Sequence, residues 1–299
     1  MSEDWTTPAN TSPITQAMIA AYDEYTHLTV DRRGFMEKLT KLAGSSAAAA
    51  AIAPMLAANS AKAAIIAADD ARLTTQTVTF ETAAGQASGY LAMPADKTGP
   101  LPGIVVVHEN RGQNEHIRDV ARRAALAGFV ALAPDFLSTS GGTPSDEDQA
   151  RSMISGLTGT TAVDIGLGAI RYLAGSSETN GKVGAVGFCW GGAIVNQLAV
   201  NAPDLAAAVA YYGQVPDAAD VPRIKARLLL HYAGLDDRIN AGIPDFKAAL
   251  DAAGVAYAMY TYEGVNHAFN NDTSAARYDE AAATLSWQRT IDFFKETLG

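Results

Sequence analysis

The run Gly187-Phe188-Cys189-Trp190-Gly191-Gly192 constrains this chain more than any other segment. A short apolar stretch typical of a buried strand precedes it, and residues 190–200 are typical of a helix. Glycines two positions before and after Cys189 indicate a strand-to-helix turn so tight that a Cβ at either position would clash. Such a turn presents the thiol at a helix N-terminus, whose partial positive charge favours the thiolate. The alternative interpretation is a buried structural cysteine in a glycine-rich turn.

From about residue 70 onward, short apolar or β-branched stretches alternate with segments of helical spacing. This alternation predicts an α/β protein with a mostly parallel sheet covered by helices on both faces. The run at 138–148 is rich in Ser, Thr, Gly, Pro and Asp, and it predicts a long surface loop. The predicted strands are 75–81 (an edge strand), 89–93, 103–108, 129–133, 182–186, 206–212, 227–232 and 256–262; the predicted helices are 115–127, 160–174, 190–200, 244–253 and 275–298.

A nucleophile on a strand-to-helix turn predicts an acid and then a histidine in loops after later strands. His267 follows the strand at 256–262, and Asp236 and Asp237 both follow the strand at 227–232. We favour Asp236 as the acid because it begins its loop, and Asp237 is the alternative. His231 falls inside a predicted strand and is expected to be a core histidine, whereas His116 is expected at the surface.

Composition excludes several classes of protein. The chain has 299 residues, 48% of them hydrophobic and 18% charged, which suits one large domain or two small ones. A net charge of −10 argues against a nucleic-acid partner. A single cysteine excludes an intramolecular disulfide and a multi-cysteine zinc site. No metal is expected, because His108-Glu109 and His116 do not have the spacing of a helical ligand pair.

Residues 1–69 are interpreted as an N-terminal extension and 70–299 as the main domain. Within the extension, Arg32-Arg33 precede an alanine-rich stretch and Ala61-Lys62-Ala63, a pattern that resembles a twin-arginine export signal over about 31–63. The stretch is too weakly hydrophobic for a stable membrane span. The pattern therefore predicts a periplasmic or secreted protein, and the alternative is a cytoplasmic protein with a docked helical extension, since alanine also favours helices.

Several segments together resemble the dienelactone hydrolase family of α/β-hydrolases, over roughly residues 75–297. They are Gly181-Lys182-Val183-Gly184 leading into the cysteine run, Ala210-Tyr211-Tyr212-Gly213, Gly234-x-Asp236, Gly264-x-x-His267-x-Phe269, and His108-Glu109-Asn110-Arg111-Gly112. The resemblance implies an α/β-hydrolase fold, a small-molecule ester or lactone substrate, and no cofactor. It also implies a catalytic triad of Cys189, His267 and Asp236.

The resemblance further implies roles for the residues that follow the strand at 103–108. Glu109 would contact the thiol, keep it protonated at rest and take part in its activation when substrate arrives. The Asn110 amide would be an oxyanion donor, beside the Trp190 amide that the turn itself places there.

This chain departs from the family at the substrate carboxylate. The family holds that group with two arginines, but Asn271 stands where one is expected, and Arg151 matches the other only loosely. Arg111 is a further candidate cation. Trp190 and Phe269 would add apolar surface, so the sequence predicts a preference for neutral short-chain esters or lactones over dienelactone.

Two other functions fit the same residues less well. Cysteine glutaminases also place Cys between glycines, but they carry His-x-Glu, and here Ala268 and Phe269 follow His267. A catalytically inactive binding protein could retain the fold without the chemistry. It is disfavoured because every position of the triad is filled.

Overall fold

The computed structural model describes residues 13–57 and 64–299. The described chain divides into two compact units, one formed by residues 13–57 with Ser274–Ala276 and the other by residues 64–273 with Arg277–Gly299. The Ala61-Lys62-Ala63 segment of the export-signal pattern lies outside the described residues.

The first unit contains three helices, α1 (Gln16–Thr26), α2 (Arg32–Ala43) and α3 (Ser46–Leu56). The N-terminus of α1 is capped by the Thr15 side chain, which accepts from the Met18 amide. The paired arginines are the first two residues of α2, and the Asp31 side chain caps that helix by accepting from the Gly34 amide at 2.7 Å. A small apolar core holds the helices together, and it includes Met18, Tyr22, Phe35, Leu39, Ala49 and Leu56.

The second unit contains a single eight-stranded sheet in the order β1-β2-β4-β3-β5-β6-β7-β8. The strands are β1 (Leu73–Thr82), β2 (Gly85–Pro94), β3 (Leu101–Val107), β4 (Val130–Asp135), β5 (Thr179–Phe188), β6 (Ala207–Tyr211), β7 (Arg227–Ala233) and β8 (Tyr257–Tyr262). β1 pairs with β2, and β2 with β4, in antiparallel fashion, whereas all other pairs are parallel. The predicted edge strand and the mostly parallel sheet are confirmed.

Helices cover both faces of this sheet, as predicted. They are α4 (Glu115–Leu126), α5 (Glu147–Gly156), α6 (Gly159–Ala174), α7 (Trp190–Asn201), α8 (Asp237–Asn240), α9 (Ile243–Ala253) and α10 (Glu280–Leu298). Side chains alternate along β3, so Val105 and Val107 join the core with α6, α7 and α9, while Ile104 and Val106 join the core with α4 and α10.

Three helices differ from the prediction: α5 and α8 were not predicted, and α10 begins later than expected. The closing helix begins at Glu280 and not at residue 275, because the Asp279 amide donates to Phe269 O at 3.1 Å and the Asp279 side chain caps Ala282 at 2.9 Å. The loop predicted at 138–148 ends where α5 begins, and the Asp146 side chain caps that helix.

Across residues 13–57 and 64–299, no single helix has the length and apolar content needed to cross a membrane. Two bent pairs, α2 with α3 and α5 with α6, reach that length and composition only jointly.

Candidate active site

The parallel strands end together at one edge of the sheet. Val107 of β3 pairs with Gly187 of β5, Phe188 pairs with Tyr211 of β6, and Tyr211 pairs with His231 of β7. The loops that follow these strands carry most of the predicted site residues, because ligand-binding groups in such sheets collect at the carboxyl ends of the strands.

Cys189 occupies the sharp turn between β5 and α7. Its backbone is in a strained left-handed conformation, with φ 56° and ψ −115°. A Cβ on Gly187 would lie 2.1 Å from Gly191 O, and one on Gly191 would lie 2.4 Å from His108 O. Both flanking glycines are therefore required by close backbone approach, as the sequence predicted. The turn leaves the thiol at the N-terminus of the 12-residue helix α7, whose partial charge favours a thiolate.

His267 and Asp236 form a buried pair. His267 Nδ1 lies 2.5 Å from Asp236 Oδ2, and because a carboxylate only accepts, the ring donates its Nδ1 proton. Asp236 also caps α8, since its Oδ1 accepts from the Ile239 amide at 3.3 Å. Asp237 is the exposed first residue of that helix, so the geometry pairs His267 with Asp236.

His267 also lies beside the thiol. One of its ring nitrogens is within 4.8 Å of Cys189 Sγ. Burial opposes a charge on the ring, but attraction to Cys189 and the hydrogen bond to Asp236 outweigh it and raise the pKa of His267 to about 10. Burial likewise opposes the charge on Asp236, yet the bond to His267 keeps the pKa of that carboxyl lowered. The raised pKa keeps the His267 ring protonated at neutral pH, beside the thiol.

Glu109 is buried and is held by Asn271. The Asn271 amide donates from Nδ2 to Glu109 Oε2 at 2.5 Å. The orientation of that amide is fixed, because its Oδ1 accepts from the Thr273 amide at 3.1 Å and from the Thr273 hydroxyl at 2.6 Å. Asn271 therefore binds a side chain of the site, and sequence spacing, which marked it as a missing arginine, did not reveal this contact.

His108 fixes the backbone of the same loop. Its Nε2 accepts from the Phe136 amide at 3.3 Å, so its Nδ1 carries the proton and donates to Glu109 O at 2.6 Å. Burial lowers the pKa of His108, consistent with a neutral ring. Trp190 stacks on His108 with ring centroids 5.3 Å apart, which ties the loop carrying Glu109 and Asn110 to the start of α7.

The two candidate arginines for a substrate carboxylate are both buried and both paired with acidic residues of α5. Arg111 Nε lies 3.4 Å from Glu147 Oε2, and Arg151 pairs with Asp148. The adjacent Gly112, at φ 77°, packs so closely on Thr143 that a Cβ would lie 2.3 Å from the hydroxyl oxygen. These contacts fix Arg111 and Arg151 beside the loop that precedes α5.

Phe269 lies in the core instead of offering open apolar surface. It is fully buried, and the rings of Tyr212 and Tyr262 lie 5.4 Å and 5.0 Å from it. It packs against the Tyr212 ring. That ring also lies 4.8 Å from His267.

Sequence reasoning missed two groups near the site. The Tyr212 hydroxyl is buried, and the charges of Glu109, Cys189 and Arg277 all act on it. Arg277 is itself a buried cation in the loop before α10. The tyrosine stood inside a recognised motif, but no spacing signal marks an arginine ten residues after His267.

Two other histidines have structural roles. His231 is a buried core histidine, as expected, with Nδ1 3.0 Å from the Tyr262 hydroxyl and Nε2 3.2 Å from Thr290 Oγ1. The expectation for His116 is wrong, because it is buried and its Nδ1 lies 2.8 Å from Asp272 Oδ1.

Comparison with known proteins identifies the family of the chain. The model of the dienelactone hydrolase family matches residues 87–298. A protein of Escherichia coli O157:H7, provisionally named a carboxymethylenebutenolidase, is 34% identical over 222 residues, which cover 69% of this chain and 81% of that protein. A protein of Methylorubrum extorquens with the same provisional name is 34% identical over 227 residues, covering 71% and 77%.

Solved structures give the same result. A protein of Klebsiella pneumoniae, provisionally named a dienelactone hydrolase, superposes with a TM-score of 0.69 at 28% identity, covering 75% of this chain and 98% of that one. A dienelactone hydrolase-like promiscuous phosphotriesterase from metagenomic libraries superposes with a TM-score of 0.70 at 28% identity, covering 76% and 100%. These matches confirm the α/β-hydrolase type of fold expected from the sequence.

Proposed function

The chain belongs to the dienelactone hydrolase family and is a hydrolase of ester or lactone bonds, and from this premise we propose that it works through a triad of Cys189, His267 and Asp236. One observation carries the proposal. His267 bonds Asp236 through Nδ1 at 2.5 Å and also lies beside the thiol on the strained turn. A nucleophile, a base and an orienting acid in this order are the elements that nucleophilic acyl transfer requires.

Acylation begins with attack of the Cys189 thiolate on the carbonyl carbon. A C–S bond forms and the carbonyl π electrons move onto oxygen, where the amides of Asn110 and Trp190 would donate to the oxyanion. Collapse of this intermediate breaks the C–O bond, and the leaving alkoxide takes a proton from the imidazolium of His267. The products of this half-reaction are an alcohol and a thioester on Cys189; with a lactone, the hydroxyl stays attached to the acyl group.

Deacylation reverses these proton movements. Neutral His267 takes a proton from water, and the hydroxide oxygen bonds to the thioester carbon. The C–S bond then breaks, the carboxylic acid leaves, and the thiolate is restored beside the imidazolium. Asp236 stabilises the charged ring in both half-reactions.

Glu109 acts on the thiol in the opposite sense to His267. A carboxylate nearby favours the protonated thiol, whereas the imidazolium favours the thiolate. The Asn271 amide donates to Glu109 Oε2 at 2.5 Å. We therefore infer that Asn271 holds Glu109 in place, which makes Asn271 a positioning residue.

The proposed substrates are neutral short-chain esters and lactones. A substrate carboxylate in a buried site needs a cation, and Arg111 and Arg151 are each already paired with a carboxylate of α5. An anionic substrate would therefore have to share Arg111 or Arg151 with the carboxylate that is already paired with it.

The test is hydrolysis of a panel containing p-nitrophenyl acetate, ethyl acetate, a simple lactone and dienelactone by the purified full chain. Cys189→Ala should lose several orders of magnitude in kcat/KM while its thermal melting stays unchanged. Turnover by the alanine variant at the wild-type rate would contradict the proposed mechanism.

A further inference from the structure

Tyr212 is held in a strained position at the end of β6. Its φ of 38° lies in the left-handed region, which is costly for a bulky residue. Residues in such strained conformations are enriched at functional sites. Its amide donates to His231 O at 2.7 Å, and a Cβ on the next residue, Gly213, would lie 2.3 Å from the carbonyl carbon of Gly192. The backbone is therefore locked between β7 and the first turn of α7.

The ring is fixed as firmly as the backbone. Tyr212 is only 1% exposed, and its ring lies 4.8 Å from His267 and 5.4 Å from Phe269. These ring contacts leave the hydroxyl little freedom to move.

The hydroxyl oxygen has no hydrogen-bond partner among residues 13–57 and 64–299. Burying a hydroxyl without a partner is costly, and buried tyrosines usually satisfy theirs. Burial and the charges of Glu109 and Cys189 raise the pKa of Tyr212 well above its usual value, while Arg277 acts in the opposite direction. The raised pKa keeps the hydroxyl protonated, so it can donate a hydrogen bond.

We propose that Tyr212 is a substrate-binding residue whose hydroxyl donates a hydrogen bond to the alkoxy oxygen of the ester. The inference rests on the proposed function, because that oxygen leaves when Cys189 is acylated. The carbonyl oxygen already has the amides of Asn110 and Trp190. The alkoxy oxygen must lie on the His267 side to receive its proton, and Tyr212 contacts that ring.

The Tyr212 hydroxyl should stabilise the transition state most when the leaving group is poor. Negative charge builds on the alkoxy oxygen as the C–O bond breaks, and an alkyl alkoxide needs more stabilisation than p-nitrophenolate. Tyr212→Phe should therefore lower kcat/KM about 10- to 100-fold for ethyl acetate and only about 2- to 5-fold for p-nitrophenyl acetate.

Tyr232→Phe is the matched control. The Tyr232 hydroxyl is also buried without a partner among the described residues, but burial alone raises its pKa, with no contribution from Glu109 or Cys189. Both variants remove an unpartnered hydroxyl, so both should melt at or a few degrees above the wild-type temperature. Tyr232→Phe should keep wild-type kcat/KM on both esters.

The experiment measures kcat/KM on ethyl acetate and p-nitrophenyl acetate for wild type, both phenylalanine variants and Cys189→Ala, together with melting temperatures. A selective loss on ethyl acetate in Tyr212→Phe supports the assignment. An equal loss on both esters, a loss shared by Tyr232→Phe, or ethyl acetate turnover within about twofold of wild type overturns it. Undiminished turnover by Cys189→Ala would instead overturn the proposed function.

Discussion

Replacing Asp236 by Asn removes one negative charge from the site while keeping the size and the helix-capping ability of the side chain. Asparagine has the same size, and it caps helices as well as aspartate does, so the cap on the Ile239 amide survives. The 2.5 Å contact with His267 Nδ1 loses its charge. Asp237→Asn is the matched control, because Asp237 is exposed and one residue away.

The magnitude follows from the burial of this pair. A hydrogen bond to a buried charge contributes about 1.5–3 kcal/mol, which corresponds to roughly 10- to 150-fold in kcat/KM. An amide can also donate to Nδ1 and so favour the wrong ring tautomer, which extends the loss toward about 10⁴-fold in triads of this kind. We therefore expect Asp236→Asn to lower kcat/KM by about 10² to 10⁴, and Asp237→Asn to change it by less than about twofold.

The assay is hydrolysis of p-nitrophenyl acetate by both variants, with melting temperatures to show that each is folded. If Asp237→Asn proved the more damaging change, or if both variants retained wild-type turnover, the assignment of Asp236 as the orienting acid would be wrong.

Three further predictions concern pH, substrate charge and the N-terminus. The pKa of His267 is raised from 6.5 to about 10, so the protonated ring stabilises the folded state fully below pH 6.5 and loses this effect toward pH 10. The difference in melting temperature between wild type and His267→Asn should therefore shrink from pH 6.5 to pH 10. A constant difference would contradict the raised pKa. Dienelactone should be hydrolysed about 10- to 150-fold less efficiently than a neutral ester of similar size; preference for dienelactone would show that a cation of the site binds its carboxylate. We propose that the N-terminal segment is an export signal, so the mature native protein should begin near Ala64 by intact mass, whereas full-length protein confined to the cytoplasm would refute export.

The sheet and the nucleophilic turn could be predicted because their signals are local. Val105 to Val107 is a continuous apolar run typical of a strand buried on both faces, and the glycines around Cys189 mark the tight turn directly. The positions of Asp236 and His267 after later strands followed from the order of elements in such a sheet. Each of these inferences needed only neighbouring residues and strand order.

The contacts between loops could not be predicted in the same way. Asn271 meets Glu109 across 162 positions in the chain, and nothing in the spacing around either residue indicates this. His116 was expected at the surface because its partner, Asp272, lies in a distant loop after His267. The start of α10 was misplaced because the capping contact of Asp279 outweighs the helix propensity of the alanines before it.

The central claim is a covalent acyl group on Cys189, and mass spectrometry of acid-quenched reactions tests it most directly. The full chain is mixed with p-nitrophenyl acetate, quenched in acid during turnover and digested. We expect one acetyl group on the peptide containing Cys189, released by neutral hydroxylamine and absent from Cys189→Ala. Steady hydrolysis with no acetylated Cys189 peptide, or acetylation at another residue during turnover, would contradict it.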